Sequence, residues 1–91
     1  MLLHTDQFNT LGGTPLVVLH GLFGASDNWR SQAAIWSLER PVVNMDLRNH
    51  GLSGHDSVMD YATMAKDVTD TLNALNFDTV DLLGHSMGGK V

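Results

Sequence analysis

Three short, mainly apolar segments, at 16–20, 42–46 and 80–83, limit what this chain of 91 residues can fold into. The first is a nearly unbroken apolar run rich in β-branched residues, which is typical of a strand buried on both faces in a parallel sheet. Two segments with helical patterns separate the three, from Asp27 to about Leu38 and from about Tyr61 to Asn76. Because strands and helices alternate, we predict βαβ units in an α/β domain with a mostly parallel sheet.

The remaining segments add an edge strand, a turn and two helix faces to this prediction. Residues 1–11 alternate loosely and predict an edge strand or hairpin arm, residues 12–15 predict a turn, and the polar residues 47–59 predict a loop. Asp27 is a candidate N-cap for the first helix. The apolar stripe of that helix consists of Trp29, Ala33 and Trp36. The apolar face of the second helix, at i, i+3, i+7 and i+10, consists of Ala65, Val68, Leu72 and Leu75.

A third helix is predicted to begin near Met87, and the sequence stops at Val91, about one turn later. One isolated helical turn is not stable, and a parallel strand needs cover on both faces. We therefore expect residues 1–91 to be part of a larger α/β domain.

Charge and composition disfavour several classes of partner. The formal net charge of −5 disfavours nucleic acid and anionic membranes, which require a basic surface. There are no cysteines, so disulfides and thiolate metal sites are excluded. The N-terminus lacks the pattern of a signal peptide, and no apolar run approaches the ~20 residues that span a bilayer. We expect a cytoplasmic protein.

A G-x-S-x-G pattern, Gly84-His85-Ser86-Met87-Gly88, follows the third predicted strand, which we expect to be buried, and precedes a predicted helix. In this context the pattern predicts a sharp strand–helix turn that exposes a nucleophilic serine. The two glycines allow the tight turn, because bulky side chains at those positions would clash. We predict that Ser86 is the nucleophile, that the Met87 backbone amide donates to an oxyanion, and that His85 lines the substrate pocket.

A second glycine pattern, His20-Gly21-Leu22-Phe23-Gly24, follows the first predicted strand. Acyl transfer needs a further backbone donor for the oxyanion. The Leu22 amide is the predicted donor, with Phe23 as the next candidate, and Phe23 and Trp29 are expected to form an apolar acyl pocket. We interpret His20 as a residue that fixes this loop, because the triad histidine of such sites comes last in chain order.

The segment 46–53 follows the second predicted strand. We expect Asp46 and Arg48 to hold loops together and His50 and Ser53 to lie near the pocket. The histidines at 4, 20, 50, 55 and 85 include no pair at i, i+4, so we predict neither a metal nor another cofactor. Residues 84–90 also fit most of a phosphate-binding P-loop, but that loop requires Ser or Thr at the position of Val91.

The three motifs, at 20–24, 46–53 and 84–90, occur here in the order typical of α/β-hydrolases, which the chain resembles over essentially its whole length. The Arg48-Asn49-His50-Gly51 form of the middle motif resembles the bacterial YbfF-type esterases and their mitochondrial relatives. This resemblance implies an eight-stranded sheet, of which only the part up to the nucleophile is present. It also implies that the catalytic acid and histidine come after the nucleophile, outside these residues.

Together these features predict a serine hydrolase of carboxylic esters or acyl thioesters, with small-molecule substrates and no cofactor. Two alternatives stay open at this point. One is a binding protein that keeps the serine turn and lacks the triad, and the other is a P-loop nucleotide binder.

Overall fold

The computed structural model describes residues 1–9 and 12–91, and it contains one four-stranded sheet. The strands are β1 (Thr5–Phe8), β2 (Leu16–Leu19), β3 (Val42–Met45) and β4 (Asp81–Gly84). A 3₁₀ turn (Ser26–Trp29) leads into helix α1 (Arg30–Trp36), and α2 (Tyr61–Ala74) and α3 (Met87–Lys90) follow. The spatial order is β1-β3-β2-β4, with β1 antiparallel to β3 and the other pairs parallel. The predicted α/β class and mostly parallel sheet are confirmed.

The core lies on both faces of the two central strands. Val17 and Leu19 of β2 face one side, where Met64 and Val68 of α2 pack against them. Val18 faces the other side and packs with α1. The apolar cluster on this other face also includes residues of β3, α1 and the turn before α1, namely Val42, Ala33, Trp36 and Trp29. Residues 16–19 are therefore almost fully buried because helices cover both faces, as the apolar run predicted.

Three predicted helix bounds differ from the observed ones, and one of them is the end of the first helix, which is at Trp36 instead of about Leu38. Asp27 does not cap α1, because it lies inside the 3₁₀ turn, where its carboxylate accepts a hydrogen bond from Arg30. The second helix ends at Ala74, two residues earlier than predicted, because Asn76 adopts a left-handed φ of 61° that stops it. At its start, the Asp60 carboxylate accepts the Thr63 N–H at 2.7 Å.

The prediction that the third strand is buried is wrong. β4 pairs with β2 on one side only within the described part of the chain, and Leu82 is 60% exposed. The predicted face of α2 is also only partly right. Val68 is buried, and Ala65, Leu72 and Leu75 are half-buried. The other buried residues of α2 are Met64, Asp67 and Thr71.

The terminal segment agrees in part with its prediction. β1 is an edge strand, and it pairs with β3, so it is not the arm of a hairpin with its neighbour in sequence. Residues 10 and 11, also predicted to belong to this segment, lie outside the described residues. In the described ranges, no helix combines the length and the apolar character needed to cross a membrane.

The register of the sheet brings three loops to one edge. Leu19 pairs with Met45 of β3 and with Gly84 of β4, so the three parallel strands end in line. The His85 N–H continues this ladder with a 3.0 Å bond to the Leu19 carbonyl. The segments that carry the three sequence motifs therefore meet at the carboxyl ends of the strands, where α/β sheets form their sites.

Candidate active site

Ser86 lies in the turn between β4 and α3. Its backbone has φ 55° and ψ −113°, a combination that non-glycine residues rarely adopt. The residue is exposed, and it is the N-cap of α3, which begins at Met87. The sharp strand–helix turn predicted from the sequence is therefore present.

The glycines two positions before and after Ser86 are required by backbone contacts. A Cβ on Gly84 would lie 2.6 Å from the Gly88 carbonyl oxygen, and a Cβ on Gly88 would overlap the Leu19 carbonyl oxygen. It would also lie 2.7 Å from the His20 carbonyl oxygen. The first turn of α3 is thus pressed against the end of β2, which leaves no space for a side chain at position 88.

The second glycine pattern forms a tight turn beside Ser86. The Gly24 N–H donates to the Gly21 carbonyl at 2.9 Å, and Phe23 has φ 61°, as at the third position of a type II turn. A Cβ on Gly21 would lie 3.4 Å from the Ser86 Cβ and 3.2 Å from Nδ1 of His85. The turn at 21–24 and the serine turn therefore lie so close together that a side chain at position 21 would touch both His85 and Ser86.

The backbone amides of Leu22 and Met87, both near Ser86, make no hydrogen bond within the described part of the chain. The Leu22 N–H makes no hydrogen bond with any residue that the structure describes. The Met87 N–H is at the first position of α3, where helix geometry offers no acceptor. In contrast, the Phe23 N–H donates to Nε2 of His50 at 3.1 Å. The amides of Leu22 and Met87 are thus unoccupied among the described residues, whereas the Phe23 amide is not.

His20 fixes the turn, in agreement with its interpretation as a structural residue. Its Nδ1–H donates to the Gly21 carbonyl at 2.7 Å, and its Nε2 accepts the Leu47 N–H at 2.9 Å. Burial is the main cause that lowers the pKa of His20 below its ordinary value of 6.5, and His50 nearby acts in the same direction. His20 is only 1% exposed and neutral, and both ring nitrogens are engaged.

Asp46 and Arg48 hold the loops of the site together, as predicted. The Asp46 carboxylate accepts the Ser26 N–H at 2.6 Å and the Leu52 N–H at 3.0 Å. Burial alone would raise the pKa of Asp46, but these backbone bonds lower it below the ordinary value of 3.8. The Arg48 guanidinium donates two buried hydrogen bonds to the Asp67 carboxylate, at 2.8 and 2.9 Å.

The sequence pattern did not identify Asp67 as the partner of Arg48. Desolvation would raise the pKa of Asp67, but the Arg48 guanidinium and the N-terminal ammonium keep it lowered. The sequence did contain a signal for this buried pair, because Asp67 lies one position before Val68 on the apolar side of its helix. An acidic residue there needs a buried cation.

The residues predicted for the site divide between two neighbouring clefts. Leu22, Ser86 and Met87 line a cleft of about 590 Å³, together with Met59, Tyr61 and Met64. Phe23, Trp29 and His85 line another of about 400 Å³, which Leu22 also borders. The apolar lining of the cleft at Ser86 comes from Met59, Met64 and Tyr61, and not from Phe23 and Trp29, which line the other cleft. The Phe23 side chain is 92% exposed.

Two other kinds of site find no support here. Across residues 1–9 and 12–91, no group of three or more His, Asp or Glu side chains could hold a metal ion. Residues 87 and 88, which belong to the open phosphate-binding loop in the P-loop pattern, are already helical.

Comparisons with known proteins identify the fold family. The family described as the alpha/beta hydrolase fold matches residues 14–91. Esterase YbfF of Escherichia coli is 45% identical over 82 residues, which cover 90% of this chain and 32% of that protein. The sn-1-specific diacylglycerol lipase ABHD11 of Xenopus tropicalis is 48% identical over 80 residues, which cover 86% of this chain and 25% of that protein.

A solved structure is similar over nearly the whole chain. The marine microorganism esterase superimposes with a TM-score of 0.93 at 40% identity, covering 97% of this chain and 33% of its own. The chain thus spans between a quarter and a third of the length of these relatives, and the resemblance to YbfF-type esterases is confirmed. On the fold and on these matches, the chain belongs to the α/β-hydrolase family.

Proposed function

We propose that the protein hydrolyses carboxylic esters, acyl thioesters included, through an acyl-enzyme at Ser86. The observation that carries this proposal is the backbone of Ser86, which is strained at φ 55° while its side chain is exposed at the tip of β4. Strain is retained where function requires it, and a nucleophile must be presented in this way. The relatives named as an esterase and as a lipase support the same chemistry.

The reaction proceeds in two steps. The Ser86 hydroxyl forms a bond to the acyl carbon and gives its proton to a general base, which produces a tetrahedral oxyanion. The amides of Leu22 and Met87 donate to that oxygen. The bond to the leaving oxygen or sulfur then breaks, and the leaving group takes the proton. Water attacks the acyl-enzyme in the same manner, which releases a carboxylic acid and restores Ser86.

The general base comes from neither buried histidine near the turn. All four ring nitrogens of His20 and His50 make hydrogen bonds with backbone groups. We infer that an acid and a histidine later in chain order complete the triad, because that is the order in α/β-hydrolases. Neither a metal nor another cofactor takes part in these steps.

The substrate is a small acyl ester or thioester. The apolar side chains of Met59, Tyr61 and Met64 border the cleft that includes Ser86, so this cleft is suited to an apolar acyl or alcohol group. A binding protein without chemistry is the alternative. It would bind the same ligands through this cleft and would not depend on the Ser86 hydroxyl.

The test uses the full-length protein that carries this chain, a fluorophosphonate probe and p-nitrophenyl esters. We expect labelling and hydrolysis in the unaltered protein and loss of both in Ser86→Ala, with kcat lower by roughly 10³-fold or more. Ser31→Ala, which changes an exposed serine of α1, is the matched control and should keep both. Labelling that survives Ser86→Ala would exclude this residue as the nucleophile, and ester binding without turnover would favour the binding protein.

A further inference from the structure

We propose that His50 is a positioning residue for ester hydrolysis, because it binds the Phe23 amide and thereby fixes the turn that presents Leu22 to the oxyanion. His50 is 7% exposed and follows β3, whereas the turn at 21–24 follows β2. The inference rests on the proposed function, since it concerns the same oxyanion. It assigns a task to a histidine for which the reaction itself has no use.

The hydrogen bonds of His50 define its tautomer. Nδ1 lies 2.7 Å from the Arg48 carbonyl oxygen, which can only accept, so Nδ1 carries the proton. Nε2 is then the unprotonated nitrogen, and it accepts the Phe23 N–H at 3.1 Å. The ring is therefore neutral, with one nitrogen attached to its own loop and the other attached to the turn.

The Phe23 bond opposes a preference of the turn. A phenylalanine at φ 61° is strained, and rotation of the peptide between Leu22 and Phe23 would convert the turn to type I, with negative φ. That rotation would direct the Phe23 N–H away from His50. The bond to Nε2 therefore holds the strained form.

The same bond decides which amide serves the oxyanion. The Phe23 and Gly24 N–H groups are occupied, so of the last three residues of this turn only Leu22 has an N–H without an acceptor in the part of the chain that is described. Gly21 lies so close to Ser86 that a Cβ added at position 21 would be 3.4 Å from the Ser86 Cβ, so a change in the turn alters the position of the donor relative to Ser86. The ring of His20, whose centroid lies 4.9 Å from that of His50, also holds the turn, because its Nδ1–H donates to the Gly21 carbonyl.

Two substitutions separate the two bonds of His50. In His50→Gln the side-chain oxygen reaches the position of Nε2 and can accept the Phe23 N–H, while the bond to Arg48 is lost. In His50→Asn the side-chain NH₂ lies near the position of Nδ1 and can keep the bond to the Arg48 carbonyl, while the Phe23 N–H loses its acceptor. A role confined to holding the loop at 46–50 favours Asn, and a role in positioning the turn favours Gln.

The experiment compares both variants in the full-length protein on a p-nitrophenyl ester. We expect kcat to fall about 10- to 100-fold in His50→Asn with KM changed less than about threefold, since a misplaced oxyanion donor affects the transition state. His50→Gln should keep kcat within about threefold of the unaltered protein. His55→Asn and His55→Gln, at an exposed histidine of the same loop, are the matched controls and should change neither constant.

Two measurements test the bond without reference to catalysis. Amide hydrogen exchange at Phe23 should be slow in the unaltered protein and in His50→Gln, and faster in His50→Asn. Nitrogen-15 NMR of the unaltered protein should find His50 protonated at Nδ1 and unprotonated at Nε2, a result that needs no variant to fold. A proton on Nε2 would overturn the proposal.

The kinetic outcomes separate this inference from the proposed function. If the unaltered protein turns over ester in a Ser86-dependent manner and His50→Asn is as active as His50→Gln, the positioning role is wrong and the proposed function stands. If no variant, including the unaltered protein, has Ser86-dependent turnover, the proposed function fails and the positioning role fails with it.

Discussion

The two backbone segments that meet at Ser86 are held in place by different forces. The serine turn at 84–88 is fixed by close packing, because glycines at 84 and 88 allow α3 to touch β2. The turn at 21–24 is fixed by polar side chains, His20 and His50, which bind its backbone groups. Packing contacts do not depend on pH, whereas the bonds of His20 depend on a ring whose pKa burial lowers below its ordinary value. The two halves of one site should therefore respond differently to substitution and to pH.

The largest expected effect concerns the packed half. Gly88→Ala places a methyl group against the carbonyl oxygens of Leu19 and His20, both of which belong to backbone that cannot move aside. We expect the free energy of unfolding to fall by about 3 kcal/mol, measured by urea denaturation of the full-length protein. Gly89→Ala is the matched control, because a Cβ at position 89 would lie no closer than 3.4 Å to its nearest neighbour, the Gly84 carbonyl oxygen. This substitution should change the free energy of unfolding by less than about 1 kcal/mol. Equal effects of the two substitutions would contradict a packing origin for this half.

A smaller effect should appear in the polar half when the pH is lowered. The pKa of folded His20 is lowered below 6.5, so the unfolded chain binds more protons in the interval between the folded pKa and 6.5. The stabilisation is complete above pH 6.5 and is lost as the pH falls through that interval. The slope is at most about 1.4 kcal/mol per pH unit for one proton. The lowered pKa values of Asp46 and Asp67 act only below 3.8.

Urea unfolding from about pH 7.5 to about pH 5 measures this slope. His20→Gln should reduce it, because the amide oxygen can accept the Leu47 N–H without titrating. The groups that face His20 are His50 and Asp46, and both remain in that variant. An unchanged slope in His20→Gln would show that the acid sensitivity originates elsewhere.

The smallest expected effect returns to Ser86. Ser86→Gly removes the strain of φ 55° and should raise the free energy of unfolding by about 1 kcal/mol, after the entropy cost of glycine in the unfolded chain. Ser86→Ala keeps the backbone strain and should leave stability unchanged. Thermal denaturation of both variants checks this difference. A stabilisation by Ala equal to that by Gly would attribute the cost to the hydroxyl instead of the backbone.

The same contrast explains which features the sequence predicted. The serine turn depends on residues within two positions of Ser86, so a local pattern was sufficient to predict it. The bond between His50 and Phe23 joins residues 27 positions apart, and no local pattern encodes it. The buried pair of Arg48 and Asp67 likewise depends on how α2 lies against the loop. An apolar run such as 80–83 specifies a strand without specifying its neighbours, so the run alone could not show that Leu82 is exposed.

The register between β2 and β4 determines the distances within the site. Leu19 stands opposite Gly84, and the His85 bond to the Leu19 carbonyl extends this alignment to the residue before Ser86. A slip of one residue along a strand displaces everything beyond it by about 3.3 Å. Reacting groups tolerate an error of only about 0.5 Å. The position of Ser86 relative to the turn at 21–24 thus depends on the pairing of Leu19 with Gly84, two residues that are 65 positions apart in sequence.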